Sequence, residues 1–169
     1  CCAAVNTVDD KDLLKKMRKA GCCNIFYGFE TGVEELAKNI LTNKKNRDFE
    51  KMKRISRWTK EAGIETRAGF LVGLPGETPE LAKKTIQTAI DLDPDYAQFT
   101  VCCPYPGTKL ANEIHEGKWG KFLTHELKEY NMWNVTWLPF GYKNAEELKN
   151  MERYAFRKFY LRPSYIIKR

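Results

Sequence analysis

Apolar and polar positions change period several times along this chain, and each change marks an element. Between residues 9 and 20, Leu13, Leu14, Met17 and Ala20 recur at helical spacing, which predicts a helix with one buried stripe. Asp9 stands where a cap belongs, Asp12 occupies the third position of a weak capping box, and Gly21 suits a left-handed exit. Residues 23–27 form a short apolar run of strand length that ends at Gly28-Phe29-Glu30-Thr31-Gly32. A short helix near 33–40 follows, then a longer one over 47–62, with Phe49, Met52, Ile55 and Trp58 on its inner face and Gly63 as its stop. Residues 64–72 predict the next strand. Its run Ala68-Gly69-Phe70-Leu71-Val72 is apolar without alternation, as in a strand covered on both faces. Thr78 and Pro79 then predict the cap and first position of a helix, with Leu81, Ala82, Thr85, Ile86, Ala89 and Ile90 on its apolar face. Asp93-Pro94-Asp95 turns the chain into a strand over 96–102.

Helix and strand thus alternate at the spacing of βαβ units, which predicts an α/β protein with a parallel sheet and covering helices. Three recognisable strands are too few for a closed eight-strand barrel, and a short doubly wound sheet and an arc of a TIM-like (βα) barrel both satisfy the pattern. The character changes after Gly117. Trp119, Phe122, Tyr130, Trp133, Trp137 and Phe140 lie in a stretch of little periodicity, which divides the chain into a sheet-bearing part, 1–117, and an aromatic-rich tail, 118–169. Asn144 and Glu147 are spaced as a capping box for a last helix through Tyr160, with Leu148, Met151, Ala155, Phe156 and Phe159 as its stripe. That spacing predicts a tail packed against the sheet.

Composition changes this picture little. No apolar run reaches the roughly 18 residues that a membrane span needs. The chain opens Cys1-Cys2-Ala3-Ala4 with no Met and no signal region, which reads as a piece of something longer. The 29 basic and 22 acidic residues give a net charge of +7, but the lysines are spread over helices, so solvated helix faces explain them better than a nucleic-acid surface. The six cysteines fall as adjacent pairs, Cys1-Cys2, Cys22-Cys23 and Cys102-Cys103, without the gap that zinc ligands need. They predict reduced, buried, structural thiols and a cytoplasmic setting.

In parallel βα architectures ligands bind at the carboxyl ends of strands, so the chemistry belongs at three exits: 28–32, 69–78 and 103–108. Each joins glycine to a polar group. Glu30 is the carboxylate best placed to bind a ligand amine or ribose, against the plainer reading of a loop salt bridge. The loop Gly73-Leu74-Pro75-Gly76-Glu77-Thr78 lacks the Gly-Lys-Ser/Thr ending of a phosphate-binding loop. His115 and His125, the only histidines, lie away from the strand exits, and there is no nucleophile elbow.

These exits resemble the radical S-adenosylmethionine (SAM) superfamily, and within it the cobalamin-binding subgroup. Residues 8–22 resemble the helix after the third barrel strand, and Ile25-Phe26-Tyr27-Gly28-Phe29-Glu30-Thr31-Gly32 resembles the fourth strand and its exit. Residues 69–78 are similar to the fifth strand and its Gly-Leu-Pro-Gly-Glu-Thr loop. Residues 97–108 resemble the sixth strand with its Pro-Tyr-Pro-Gly-Thr exit, and 155–163 resemble the subgroup's C-terminal tail. The resemblance implies a partial TIM-like barrel in which Glu30 contacts the amino or ribose groups of SAM and Lys44 pairs with its carboxylate. It further implies that Gly69, Leu71 and Gly73 let the fifth strand run beside the cofactor, and that Val101 and Tyr105 approach the adenine. An amino-acid zwitterion does need one anion and one cation, and adenine an apolar slot.

The chain departs from the family pattern in two places. Ala4 and Asn6 stand where the family has Arg and Asp, and Cys-x-x-x-Cys-x-x-Cys occurs nowhere in the 169 residues. The family's 4Fe-4S cluster, held by three such thiolates, is therefore expected on ligands outside this chain, as is any cobalamin domain. The fragment alone is then expected to be inactive. The whole protein is expected to cleave SAM to a 5′-deoxyadenosyl radical, or to methylate through cobalamin, on an unidentified small molecule. The implied partners are the upstream half of its own barrel and an electron donor such as flavodoxin or ferredoxin, with no membrane span. The rival expectation is a non-catalytic, barrel-derived module that binds protein or nucleic acid, which the net charge and the aromatic tail would serve.

Overall fold

The computed structural model describes residues 1–4, 7–40 and 49–167. Four strands, β1 (Cys2–Ala4), β2 (Asn24–Glu30), β3 (Glu65–Val72) and β4 (Tyr96–Val101), pair in parallel and in sequence order. Helices α1 (Lys11–Lys19), α2 (Glu34–Ile40), α3 (Phe49–Glu61) and α4 (Pro79–Leu92) lie in the crossovers. The register aligns Phe26 with Arg67 and Tyr96, and Gly28 with Gly69 and Gln98.

Burial alternates strictly along β2, β3 and β4, so helices cover one face only. This corrects the expectation of a strand covered on both sides. Residues 68–72 read as continuously apolar because the open face carries Gly69 and Leu71 there rather than charges. A sheet covered on one face is an arc of a barrel, not a doubly wound sheet, which needs helices on both.

The covered face is held by a line of aromatic rings. Tyr27 stacks near Phe29 (5.7 Å between centroids), Phe29 near Phe70 (5.9 Å), and Phe70 near Phe99 (5.5 Å). Phe99 then meets Phe156 and Phe159, from the long helix near the C-terminus, edge-on. Five of these six rings are buried, Phe156 partly, and they join Leu14, Met52, Ile55, Ala82, Ile86 and Ala89 from the helices in one core.

Beyond β4 comes α5 (Lys109–His115), capped by Thr108, which the sequence pattern did not show. In the tail, β5 (Gly120–Phe122) and β6 (Trp137–Pro139) pair antiparallel within the stretch of little periodicity, α6 (Ala145–Tyr160) is the expected last helix, and α7 (Pro163–Ile167) follows it. The strands are too short for a period of two to show. Buried Trp137 donates its indole N–H to the Cys102 carbonyl at 2.8 Å. Helix α6 lies along the outer edge of the sheet, where the Tyr160 hydroxyl accepts from the Ala97 N–H (3.0 Å) and donates to the Ala97 carbonyl (2.7 Å). The outer edge of the sheet is thus covered at Ala97 of β4 by a side chain.

Two caps differ by one residue from expectation. Asp10, not Asp9, accepts the Asp12 N–H at the start of α1, while Asp9 pairs with Lys51. At α6, Asn144 accepts the Glu147 N–H (2.8 Å), and Glu147 returns its bond to the Lys143 N–H (2.6 Å) rather than to Asn144. The cysteines also depart from expectation: Cys102 is buried, but Cys1, Cys2 and Cys23 are exposed and Cys22 and Cys103 half-buried. A pair on a strand end sends its two side chains to opposite faces, so both cannot reach the core.

Candidate functional site at the strand exits

At the end of β2 the pairing with β3 slips by one residue between Gly28 and Glu30. Glu30 sits at φ 58, a left-handed conformation that costs a residue with a Cβ about 1–2 kcal/mol. The Thr31 N–H closes a three-residue turn around it by donating to the Phe29 carbonyl at 2.7 Å. The carboxylate folds back over the open face, where Oε1 lies 2.6 Å from the place a Cβ on Gly28 would take. The strain is held by α4. Buried Thr31 and Thr85 bond through their hydroxyls at 2.9 Å, and Gly32 approaches Thr88 so closely that a Cβ there would lie 2.0 Å from its Oγ1.

The β3 exit is built around a residue that sequence reasoning gave no role. Glu77 is completely buried, its Oε1 accepts from the Gly73 N–H (2.5 Å) and the Tyr142 hydroxyl (2.6 Å), and Oε2 has no partner among the described residues. Burial pushes its carboxyl up to about 7 against the bonds from Tyr142, Gly73 and Leu74. Burial also raises the Cys102 thiol, with Glu77, Cys103 and Glu30 adding to the effect, so both carboxylates stand near this cysteine. The tail clamps the loop as well: Leu148 packs on Gly73, and Gly141 lies so close to the Glu77 carbonyl that a Cβ would meet it at 1.9 Å. A glutamate in a loop of Gly, Leu and Pro was the available signal, because such a loop offers it no cation.

The other candidates are distributed as follows. Gly69 lies on the open face beneath the Phe26 ring, whose Cζ would be 2.6 Å from an added Cβ. Leu71 is half-buried two residues further along that face, and Gly73 sits in a left-handed turn at φ 73. The Val101 side chain is in the helix-covered core. Tyr105, half-exposed beyond β4, has its ring 6.3 Å from that of Tyr130. Lys44 and Asn6 lie outside the described residues. Glu30, Leu71, Gly73 and Tyr105 are thus all at the carboxyl ends of the strands. Among the described residues no group of three or more His, Cys, Asp or Glu could hold a metal, and no helix is long and apolar enough to cross a membrane. His115 and His125 are exposed and stack on each other at 5.6 Å, away from these exits.

A one-sided parallel sheet with a strained carboxylate at one exit and a glycine loop at the next defines an enzyme-type βα barrel arc. The family model of the radical SAM superfamily matches residues 1–89, and the chain belongs to that superfamily. An uncharacterized methyltransferase of Pyrococcus horikoshii is 31% identical over 172 residues, covering 97% of this chain and 34% of that protein. The anaerobic magnesium-protoporphyrin IX monomethyl ester cyclase of Cereibacter sphaeroides is 32% identical, over 90% of this chain and 24% of that protein. The chain therefore spans about a quarter to a third of these relatives. Among solved structures, the radical SAM methyltransferase TsrM of Kitasatospora setae, with cobalamin and a [4Fe-4S] cluster bound, superposes with a TM-score of 0.69. That match has 21% identity and covers 96% of this chain and 36% of that one, so it shows the fold alone. The expected partial (βα) barrel and radical SAM membership are both borne out.

Proposed function

We propose that this chain is the later half of the barrel in a longer radical SAM enzyme, and that its strand exits hold SAM. The reading is carried by one observation: Glu30 is kept at a strained φ of 58 by contacts to α4, with its carboxylate on the open face. Strain of this kind persists where the surrounding structure enforces it, and it clusters at functional sites. A carboxylate there suits the amino or ribose groups of SAM. Leu71 offers an apolar surface beside it, the main chain at Val101 would bond an adenine edge, and Tyr105 offers a ring. Lys44 is assigned to the SAM carboxylate on the resemblance alone.

The residues of this chain do not fit a 4Fe-4S cluster, since no three-thiolate set exists among those described. Its ligands are placed upstream, as is any cobalamin-binding domain. Bound together, SAM and the cluster would supply radical chemistry of the methyl-transfer or cyclisation kind, with reducing equivalents from a flavodoxin or ferredoxin. This chain would bind and orient the cofactor and, alone, would not turn over.

The test is SAM binding by the full-length protein after anaerobic cluster reconstitution. Glu30→Gln and Glu30→Ala are expected to weaken SAM at least about tenfold, the scale of a lost hydrogen bond to a charged group, with iron content unchanged. Unchanged SAM affinity in Glu30→Ala removes the assignment. Salt-steep RNA binding by a protein that does not bind SAM would instead favour the binding-module reading.

A further inference from the structure

The open face of the sheet carries a second feature, away from the exits. Where β2, β3 and β4 align Phe26, Arg67 and Tyr96, a cavity of about 310 Å³ extends past Gln98 toward Trp133, Phe156 and Tyr160. Its chemistry is one-sided. Among the described residues Arg67 is the one charged residue that lines it, and no acid does. The guanidinium carbon lies 5.2 Å from the centroid of the Tyr96 ring, and among the described residues Arg67 makes no ion pair. Among the described residues the Gln98 side-chain amide reaches only the Met132 sulfur, at 3.6 Å, a weak acceptor. Trp133, 65% exposed, stands over this mouth, and its loop is fastened by its carbonyl accepting from Lys149 Nζ at 2.8 Å. Hydrogen-bond donors and aromatic faces are therefore present, and a counter-charge is missing.

We infer that this cavity binds the carboxylate end of a planar aromatic substrate, with Arg67 as its anchor. A carboxylate matches the two-pronged donor geometry of a guanidinium, and flat rings match Phe26, Tyr96 and Trp133. The volume falls at the lower end of the range for small-molecule sites, room for about one fused ring pair. The position sets the length of the rest. Arg67 lies four residues before Leu71, so at about 3.3 Å per residue its row is roughly 13 Å below Leu71, and about 10 Å below the row in which Glu30 pairs with Phe70. A ligand anchored at Arg67 and extended along the open face presents its far end to those exits. Arg67 thus selects substrates by charge, and the reacting carbon sits a barrel height away. This rests on the reading that the exits hold SAM, but the anchor is testable without it.

The experiment compares naphthalene-2-carboxylate with naphthalene-2-carboxamide, its neutral counterpart, by equilibrium dialysis against the full-length protein. The acid is expected to bind at least about tenfold tighter than the amide, the scale of a charge-assisted hydrogen bond. Arg67→Met is expected to abolish that preference and Arg67→Lys to keep part of it, while Trp133→Leu weakens acid and amide alike. Arg67 is exposed, so thermal midpoints and SAM affinity are expected to stay at the wild-type values in both Arg67 variants. Equal binding of acid and amide, a preference that survives Arg67→Met, or no acid binding up to millimolar concentration would each overturn the inference. The last is also the result if an upstream segment of the protein fills the cavity. A wild-type protein that shows the Arg67-dependent preference but fails to bind SAM would remove the proposed function and leave this site standing.

Discussion

The Tyr142 hydroxyl donates to Oε1 of Glu77 at 2.6 Å across 65 residues of sequence, tying the tail to the loop that follows β3. The tie has a proton attached to it. Glu77 titrates at about 7 in the fold against 4.5 when exposed, because burial disfavours its charge. Between those values the folded chain keeps a proton that the unfolded chain releases. The stability this gives is fully present below pH 4.5, falls as the pH rises through the window to about 7, and then levels. The size is roughly 3 kcal/mol for a shift of this extent. Glu77→Gln cannot ionise and is expected to lose the slope. Urea midpoints at pH 5, 6, 7 and 8 check it: wild type should fall relative to the variant, and parallel profiles would show that Glu77 is not neutral in the fold.

The turn at Glu30 depends on the absence of a side chain two residues later. A Cβ on Gly32 would meet Thr88 at 2.0 Å from Oγ1 and 2.4 Å from Cβ, so rotation of the threonine cannot relieve it. Gly32→Ala is expected to destabilise by about 1–3 kcal/mol as an overpacked contact and to loosen the Glu30 turn. Thr88→Gly removes the obstacle, and the double variant should lie above the sum of the singles by more than about 1 kcal/mol, as coupled neighbours do. Additive losses in chemical denaturation would show that the two residues do not press on each other.

How far the sequence announces this architecture depends on which forces act locally. The stripe Leu81, Ala82, Thr85, Ile86 and Ala89 and the cap at Thr78 are properties of consecutive residues, and α4 forms as they predict. Glu30 was legible as a carboxylate at a strand exit because it ends an apolar run just after a glycine, but its strained turn was not, since the bond that holds it joins Thr31 to Thr85, 54 residues away. The loop around Glu77 offered it no cation, but the burial of its carboxyl was hidden for a related reason. Nothing near it in sequence shows that Tyr142, Gly141 and Leu148 return to bury it. The single-sided sheet was masked because Gly69 and Leu71 make the open face look like core, and three-residue strands such as β5 and β6 show no period at all.

The cysteine pairs offer a map of the same geometry. Cys1, Cys2 and Cys23 are exposed, whereas Cys102 is buried and its thiol is raised by burial and by Glu77 beside it. Thiolate is the reactive form, so an aromatic disulfide reagent at pH 8 should modify the three exposed cysteines quickly and Cys102 only on unfolding. Peptide mass mapping against time in native buffer and in urea reads the order. Early loss of Cys102 in native buffer would mean that the Trp137 side of the tail is not seated on it.

Tyr160 protects the outer strand with a single hydroxyl, which both accepts from the Ala97 N–H and donates to the Ala97 carbonyl. Tyr160→Phe keeps the ring contacts with Phe156, Phe159 and Tyr165 and removes only those two bonds. Two partly buried backbone groups then lose their partner, which costs about 1–3 kcal/mol. They also become available to another strand, because an unpaired parallel edge is a template for association. The variant should therefore lose stability in urea and show concentration-dependent dimers in sedimentation velocity at concentrations where wild type does not. Tyr160→Ala, which also strips the ring packing, should unfold more readily still, so that the phenylalanine variant isolates the hydroxyl. Wild-type stability and an unchanged sedimentation profile in Tyr160→Phe would mean that water replaces the hydroxyl at this edge and that the bulk of α6, rather than its hydrogen bonds, closes the sheet.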